Sequence, residues 1–198
     1  MALSSFLNVL STCYIPLHTC TSTMFLLKFA CTVILSLSLV LSAHTAAIDI
    51  FDKRATEAEK AIYMQMHNTV RAKYNAPALV WNDTLATYAQ NYVNKCIWEH
   101  SNPNPYGENL AAGYGKSYNI AKGIQDWANE NTTYSYENPK ASHFTQMVWK
   151  SSLQLGCAVQ NCTLAVLGNH LSTYIVCEYY PKGNVRGKYP ANVDRPVS

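Results

Sequence analysis

The first regular pattern in the chain is a run of apolar residues at four-residue intervals, which indicates one face of a helix. These positions are Ile62, Met66, Val70 and Tyr74. Thr56 and Glu59 form a capping-box pattern at the start of this helix, because each side chain can bond the other residue's backbone. Pro77 ends it. The sequence therefore predicts a first helix from about Thr56 to Tyr74.

Two further helices follow from the same periodicity. The apolar positions of the second are Leu85, Tyr88, Ala89, Tyr92, Val93 and Cys96. Asn82 or Asp83 is its expected N-cap. The third has Ile120, Ile124 and Trp127 on one face. Ser117 or Asn119 is expected to cap it, and it ends near Glu130.

The predicted strands are rich in β-branched and aromatic residues. A brief extended piece covers 79–81, the main strands cover 155–159 and 174–180, and a further short strand is considered at 164–167. Residues 100–110 contain two prolines and a glycine, which argue against a helix or a central strand. Three helices ahead of the main strands indicate an α+β fold, with helices covering an antiparallel sheet.

Residues 24–47 have the layout of a secretory signal peptide. One charged residue, Lys28, precedes an apolar run, and small residues follow up to Ala47. The run is too short, and too interrupted by serine, for a comfortable membrane anchor. Residues 1–23 carry no charge, and we treat them as an atypical or untranslated leader, with Met24 as the alternative start.

Residues 48–54 are predicted to be a short pro-segment. The segment ends in Lys53-Arg54, a pair that resembles a dibasic processing site. The alternative is an ordinary exposed pair of charges at the head of a helix. Cleavage would leave residues 55–198, enough chain for a single domain with a full-sized core.

The cysteines after this boundary are even in number: Cys96, Cys157, Cys162 and Cys177. In an exported chain this predicts two disulfides, for which three pairings are open. Sequons at Asn82 and Asn131 predict glycosylation, whereas the sequon at Asn161 contains a half-cystine. From residue 55 onward the chain has 12 Lys and Arg residues and 10 Asp and Glu residues. The basic residues are spread singly, so they form no basic stripe suited to nucleic acid.

Four polar residues on separate segments are the candidates for chemistry: His100, Glu108, Glu130 and His143. Imidazole and carboxylate groups are suited to zinc and bind other divalent ions more weakly. Their spacing places no two of them on one helix face, so a structural hydrogen-bond network is an equally good interpretation. His67 is interpreted as structural. All four cysteines after residue 55 are assigned to disulfides and the chain lacks a nucleophile elbow, so no catalytic residue is predicted.

Several stretches in order resemble the recurring motifs of the CAP superfamily, which comprises cysteine-rich secretory proteins, antigen 5 and plant pathogenesis-related class 1 proteins. They are His-Asn-x-x-Arg at 67–71, Pro-Tyr-Gly-Glu-Asn-Leu-Ala at 105–111, His-Phe-Thr-Gln-Met-Val-Trp at 143–149, Leu-Gly-Cys at 155–157 and Tyr-Ile-Val-Cys-Glu-Tyr-Tyr-Pro-Lys-Gly-Asn at 174–184. The dibasic leader and the closing residues resemble the fungal, pathogenesis-related-in-yeast-like branch.

The resemblance implies a three-layer α-β-α sandwich with a central antiparallel sheet and two disulfides, Cys96–Cys162 and Cys157–Cys177. It also implies a cleft in which His100, Glu108, Glu130 and His143 bind a divalent metal, with Zn²⁺ or Mg²⁺ expected and none required. Two residues depart from the usual pattern. Ser142 replaces a glycine and could alter the backbone at the site, and Glu178 replaces an asparagine or serine. Neither change is expected to touch the four polar groups.

The function that the resemblance implies is extracellular binding of sterols or related lipids such as fatty acids, without an enzymatic reaction. Trp127, Tyr134 and Tyr136 are the predicted lipid-binding residues. The mature chain is expected not to span a membrane. The alternative is a secreted effector or interaction protein with host or cell-wall partners, and a metal-dependent hydrolase is a weaker third hypothesis.

Overall fold

The computed structural model describes residues 55–197, so the leader, signal-peptide and pro-segment predictions lie outside the described residues. The helices and strands, in chain order, are α1 (Glu57–Lys73), β1 (Val80–Trp81), α2 (Asp83–Val93), β2 (Gly107–Tyr114), α3 (Ile120–Asn129), α4 (His143–Met147), β3 (Gln154–Leu164), β4 (His170–Tyr180) and α5 (Tyr189–Asn192). Short 3₁₀ turns occupy Glu130–Thr133 and Ala165–Leu167. Within the described range no helix is long and apolar enough to cross a bilayer.

The sheet has four strands in the order β1-β3-β4-β2. The β3–β4 and β4–β2 pairs are antiparallel, and the two-residue β1 runs parallel to β3 at one edge. The long β3–β4 hairpin is therefore the centre of the sheet. This arrangement confirms the predicted central antiparallel sheet, with one short parallel addition.

Each face of the sheet packs on helices through its own core. The α2 side is built from Ala89, Tyr92, Val93, Leu110, Ala158, Cys162, Leu164, Tyr174 and Val176. The opposite side holds the larger core beneath α1, α3 and α4, with Trp127, Phe144, Met147, Trp149, Ile175 and Tyr179 among its buried residues. Because strand side chains alternate between faces, one hairpin supplies both cores. The predicted three-layer α-β-α sandwich is confirmed.

Two disulfides tie these layers together in the pairing that the resemblance implies. Cys157 and Cys177 lie directly opposite each other on β3 and β4, with their Cα atoms 4.1 Å apart. Cys96, three residues after α2, is bonded to Cys162 of β3 across a Cα distance of 5.4 Å. One bond joins the central strands and the other fixes the end of α2 to the sheet.

Helix α1 turns a mainly polar face toward the core. Its residues that are fully buried are Tyr63, His67 and Arg71. The apolar stripe that predicted the helix lies on a neighbouring face, and Ile62 on that stripe is 37% exposed. The periodicity located the helix correctly, but the stripe forms part of a surface groove rather than the centre of the core.

The buried guanidinium of Arg71 connects α1 to the segment around α4. Its Nε donates to the carbonyl of Pro77 at 2.6 Å. Its Nη atoms donate to the carbonyls of Met147, Trp149 and Ser152 at 2.8 to 2.9 Å. A fixed fork of donors is needed to satisfy acceptors that point at it from four directions. Arg71 therefore sets the path of residues 147–152.

His67 is likewise buried and hydrogen-bonded. Its Nδ1 lies 2.8 Å from the carbonyl oxygen of Tyr63, and its Nε2 lies 2.8 Å from the hydroxyl of Tyr179. Burial lowers the pKa of His67 to about 4, although the bond to Tyr63 acts in the opposite direction. His67 thus has the structural environment that the sequence suggested.

Three features of the fold differ from the sequence prediction. Gly107–Tyr114 forms strand β2, where no strand was predicted, because the prolines precede it and it lies at the sheet edge, where fewer ladder bonds are needed. Residues 164–167 are not a separate strand, since β3 runs to Leu164 and a 3₁₀ turn follows. The tail contains the short helix α5.

We predict that Arg71→Lys lowers the free energy of unfolding by about 3 kcal/mol or more, because one ammonium cannot satisfy four divergent buried carbonyls. Chemical denaturation of the purified protein measures this change. The matched control is Arg195→Lys, since Arg195 is 67% exposed in its pair with Glu137, and its expected change is below about 0.5 kcal/mol. Equal stability of the two variants would contradict the role assigned to Arg71.

Candidate functional site

The four predicted site residues form two histidine–glutamate pairs. In the first, His100 Nδ1 lies 2.6 Å from Glu108 Oε1. The same carboxylate oxygen accepts the backbone N–H of Ser101 at 3.0 Å. Glu108 is the second residue of β2, and His100 lies in the preceding loop with 65% of its side chain exposed. The strand edge therefore holds the carboxylate, and the carboxylate orients the histidine.

The second pair joins the end of α3 to the start of α4. His143 Nδ1 lies 2.6 Å from Glu130 Oε1, and Glu130 Oε2 accepts the backbone N–H of Phe144 at 3.2 Å. The imidazole of His143 also stacks on Trp127, with ring centroids 6.0 Å apart. Glu130 thus receives two donors from the first turn of α4, which orients His143 as the first residue of that helix.

The stretch before His143 explains the serine at position 142. Ser142 is the N-cap of α4, with an extended backbone (φ −151°) that any residue can adopt. Its Oγ accepts the backbone N–H of Thr145 at 3.1 Å, and its own N–H donates to Thr145 Oγ1 at 2.9 Å. The serine therefore adds a capping box to the helix that presents His143, and its backbone is unstrained.

A buried hydrogen-bond chain supports both pairs. Asn109, the neighbour of Glu108 on β2, donates from Nδ2 to the carbonyl of His143 and to the hydroxyl of Tyr179, each at 3.1 Å. The same hydroxyl lies 2.8 Å from His67 Nε2. Burial raises the pKa of Tyr179 well above its ordinary value. This neutral network fixes the backbone of α4 against β2, so the two pairs are held by one scaffold.

The chemistry of the two histidine–glutamate pairs suits a divalent metal bound by two imidazole nitrogens. Because Nδ1 of each histidine faces a carboxylate, His100 and His143 would hold an ion through Nε2, with Glu108 and Glu130 orienting them. Within residues 55–197 no three His, Cys, Asp or Glu side chains converge on one point. Metal binding by the four residues therefore stays a prediction, as does the choice between Zn²⁺ and Mg²⁺.

Glu178 belongs to this site, although sequence reasoning excluded it. It is fully buried on β4 and lies directly opposite Glu108 of β2, so the two carboxyl groups are neighbours across the sheet. Burial, and next the charge of Glu108, raise the pKa of Glu178 to about 9. The raised pKa favours the protonated form of Glu178, which has a proton to donate toward Glu108. The expectation that this residue does not touch the four polar groups is wrong.

The remaining partners of the two carboxyl groups are few. Asn104 Nδ2 donates to Glu178 Oε2 at 3.1 Å. Glu108 Oε2 and Glu178 Oε1 are both buried and have no hydrogen-bond partner within residues 55–197. One shared proton satisfies both oxygens, whereas two ionised groups would leave both unpaired. The register of β2 against β4 creates this pair, and because β2 was not predicted, no pattern in the sequence indicated it.

The predicted lipid-binding aromatics lie in different environments. Trp127 is in the core at 2% exposure, where its Nε1 donates to the carbonyl of Leu110 at 2.9 Å. Tyr134 and Tyr136 are partly buried in the loop before α4 and pack edge to face with ring centroids 4.8 Å apart. Tyr136 also donates its hydroxyl proton to the carbonyl of Asp194. The lipid-binding role of all three stays a prediction.

A polar cavity of about 340 Å³ lies beside Glu130 and Tyr134. It is lined by Glu130, Thr133, Tyr134, Ser135, Asn138, Lys140, Ala141 and Ser142. The carboxylate of the second pair therefore lies on the wall of an accessible cavity, next to the residue that caps α4.

A larger, open groove of about 550 Å³ runs between α1 and α3. Its lining residues are Ile62, Gln65, Met66, Thr69, Val70, Lys73, Tyr74, Ala121, Ile124, Gln125, Ala128, Asn129 and Asn131. The apolar stripe of α1 forms one wall, and Ala121, Ile124 and Ala128 of α3 form the other. This groove is separate from the aromatics assigned to lipid binding. The signal that could have located it was the α1 stripe itself.

In both predicted glycosylation sites the side-chain amide of the asparagine already makes hydrogen bonds. Asn82 caps α2 with its Oδ1, and its Nδ2 donates to Gln154 Oε1 at 2.6 Å. Asn131 donates from Nδ2 to the hydroxyl of Tyr74 at 2.9 Å, at the groove. A glycan on either nitrogen would replace one of its two hydrogens, and glycosylation stays a prediction.

Comparison with known families and proteins agrees with this geometry. The family model described as "CAP: Cysteine-rich secretory protein family" matches residues 64–179. Protein PRY2 of Saccharomyces cerevisiae is 44% identical over 136 residues, which cover 64% of this chain and 38% of PRY2. Fruiting body protein SC7 of Schizophyllum commune is 38% identical over 161 residues, covering 73% of this chain and 78% of SC7. Tobacco pathogenesis-related protein 1C is 38% identical over 138 residues, covering 65% and 78%.

Solved structures show the same fold at low identity. The hookworm platelet inhibitor superposes with a TM-score of 0.58 at 24% identity, covering 73% of this chain and 79% of its own. NaASP2, whose crystal structure is described as "with Zn2+", gives a TM-score of 0.57 at 22% identity, covering 74% and 90%. These likenesses confirm the fold that the sequence predicted.

We predict that Glu178→Gln becomes increasingly more stable than the wild type as the pH rises from 5 to 9. The folded wild type keeps the proton on Glu178 up to about pH 9, while the unfolded chain loses it near its ordinary pKa of 4.5. Stability is therefore lost as the pH rises between these values, and glutamine removes that loss. Denaturation curves at several pH values measure the difference.

The matched control for this experiment is Glu57→Gln, because the side chain of Glu57 is 90% exposed in the first turn of α1. Its stability difference from the wild type should not grow over the same pH range. A constant difference for Glu178→Gln would show that Glu178 is ionised in the folded protein.

Proposed function

Because the chain belongs to the CAP family of cysteine-rich secretory proteins, we propose that it is a secreted protein that binds a sterol or fatty acid in the groove between α1 and α3. The observation that supports this proposal is the apolar stripe of α1. Its side chains face the groove although helices of this kind ordinarily turn such a stripe into the core.

The groove has the size and lining of a lipid site. Its volume of about 550 Å³ lies within the range of roughly 300–1,000 Å³ typical of ligand pockets. Ile62, Met66 and Val70 of α1 and Ala121 of α3 supply apolar contact along the two walls. Polar side chains lie around them, as in sites where few polar groups fix the orientation of an apolar ligand.

One charged group on the lining would orient a ligand that has a charged end. Lys73, in the last turn of α1, is the one charged residue among those that line the groove. An ammonium at the end of an apolar trough suits the carboxylate of a fatty acid, whereas a sterol hydroxyl would be served by Gln65, Thr69 or Gln125. The groove therefore favours a fatty acid over a sterol.

The two histidine–glutamate pairs support a second function, the binding of a divalent metal. The supporting observation is that both histidines turn Nδ1 toward a carboxylate, the orientation that metal-ligating histidines usually have. A bound Zn²⁺ would act as a Lewis acid on a coordinated water or carbonyl. The buried network of Asn109, Tyr179 and His67 would keep the imidazoles in place without movement on binding.

We predict that Val70→Asp raises the dissociation constant for oleate about tenfold or more, because it places a charge on an apolar wall. Binding is measured on delipidated protein by titration calorimetry, with cholesterol in a parallel series. The control is Val80→Asp, the same substitution at a valine that is 66% exposed outside the groove.

A further variant keeps this test independent of folding. Lys73→Gln should weaken the binding of oleate but leave that of cholesterol unchanged, because only the fatty acid carries a carboxylate. If the wild type binds neither ligand saturably, or if Val70→Asp and Val80→Asp bind alike, the groove is not the lipid site.

For the metal, we predict that His100→Ala and His143→Ala each weaken Zn²⁺ binding about tenfold or more, since each removes one of two nitrogen ligands. Titration calorimetry with Zn²⁺ alone measures the affinity. His170→Ala is the matched control, because His170 is an exposed histidine on the distant β3–β4 hairpin, where its ring stacks on Tyr114. Equal affinities for all three variants would contradict the two-histidine site.

A further inference from the structure

The end of the β3–β4 hairpin carries a group of exposed apolar side chains. Leu171 is 68% exposed, Val166 is 59% exposed and Tyr114, at the end of the neighbouring strand, is 54% exposed. Single exposed apolar residues are ordinary on a protein surface. Here three of the most exposed large apolar side chains lie on adjoining segments, since Tyr114 of β2 pairs with Ser172 of β4.

We name this region the tip surface and define it by Tyr114, Lys116, Val166 and Leu171. The turn that carries the tip surface is tight, because Gly168 and Asn169 both have positive φ values, 67° and 60°. Gly168 and Asn169 also donate their backbone N–H groups to the carbonyls of Ala165 and Leu164. The turn thus projects Val166 and Leu171 from backbone that is hydrogen-bonded within itself.

The segments that carry the tip surface contain no acidic residue. No Asp or Glu occurs in residues 109–125, which include Tyr114 and Lys116. Nor does any occur in residues 138–177, which include the whole hairpin tip. Lys116 is exposed beside Tyr114, and Lys122 in the first turn of α3 is paired with Asp126. An apolar surface that carries an exposed cation is complementary to an anionic, partly apolar layer.

The tip surface lies at one end of the groove between α1 and α3. Thr173 of β4 donates its hydroxyl proton to the carbonyl of Tyr118, so the hairpin is bonded to the segment that leads into α3. Helix α3 begins two residues later, and its residues Ala121 and Ile124 line the groove. A surface pressed against the tip would therefore meet the groove at its α3 end.

We propose that the tip surface docks on a lipid bilayer with anionic headgroups, and that the protein takes up or delivers its lipid there. The proposal rests on the proposed lipid-binding function. Leucine and valine at a tight turn can enter the acyl boundary, tyrosine suits the headgroup level, and Lys116 adds attraction to anionic lipid. Three apolar side chains and one cation give weak and reversible attachment, as a carrier requires.

The test is flotation of the full secreted protein with vesicles of phosphatidylcholine containing about a third phosphatidylserine. The variant Val166→Ser with Leu171→Ser should lower the bound fraction about tenfold. The matched control is Val80→Ser with Leu153→Ser, two apolar residues of 66% and 48% exposure at the opposite end of the sheet, which should bind as the wild type does. Lys116→Glu should lower binding about fivefold, and only to the anionic vesicles.

Three results would overturn the proposal: no flotation of the wild type, equal loss in the tip and control variants, or equal binding of Lys116→Glu and the wild type to anionic vesicles. Oleate binding in solution, measured on the same variants, separates this proposal from the proposed function. Oleate binding without flotation rejects the docking surface and leaves the groove as the lipid site. Flotation that depends on the tip but without any oleate or cholesterol binding rejects the carrier function, and with it the proposed role of docking in lipid exchange.

Discussion

The arrangement of the site depends on the buried guanidinium of Arg71. A buried charge without a carboxylate partner is stable in a core only if its polar hydrogens find acceptors. Here four carbonyl oxygens accept from four of the five N–H groups, and three of those carbonyls belong to the segment from Met147, the last residue of α4, to Ser152. Because that segment cannot shift without leaving a cation unsatisfied, α4 is held in register with α1. His143 at the start of α4 therefore owes its position to a residue that it does not contact.

The site and the groove lie on the same side of the sheet but use different surfaces of the helices. Trp127 shows the separation most clearly, because its ring stacks on His143 while its neighbours on α3 line the groove. The core face of α3 thus serves the histidine–glutamate pair, and the adjoining face serves the proposed ligand. The tip surface adds a third region at the end of the hairpin. Each region has its own chemistry because one rigid sandwich carries all three.

The sequence predicted most helices and the main strands because their periodicity is strong, and the motifs identified the four polar residues. It missed what depends on pairing between distant segments. Glu178 could be recognised as part of the site only once β2 was placed opposite β4, and the prolines before Gly107 concealed that strand. The buried face of α1 was not predicted either, because its buried positions include polar residues whose partners lie far along the chain. Periodicity describes a helix by its apolar residues, whereas here its polar residues face inward.

Because His67 is buried and neutral in the folded protein, the stability of the protein depends on pH. The unfolded chain protonates this histidine near pH 6.5 and the folded protein near 4, so acid removes stability between these values. Glu178 acts in the opposite direction, because the stability that it contributes falls as the pH rises above about 4.5. Between about pH 4.5 and 6.5 the two groups change the free energy of unfolding in opposite directions as the pH rises. Above this range only the decrease caused by Glu178 remains. The contributions of these two groups to the free energy of unfolding therefore cancel in mildly acidic surroundings. Below this range protonation of His67 lowers the stability, and above it ionisation of Glu178 lowers the stability.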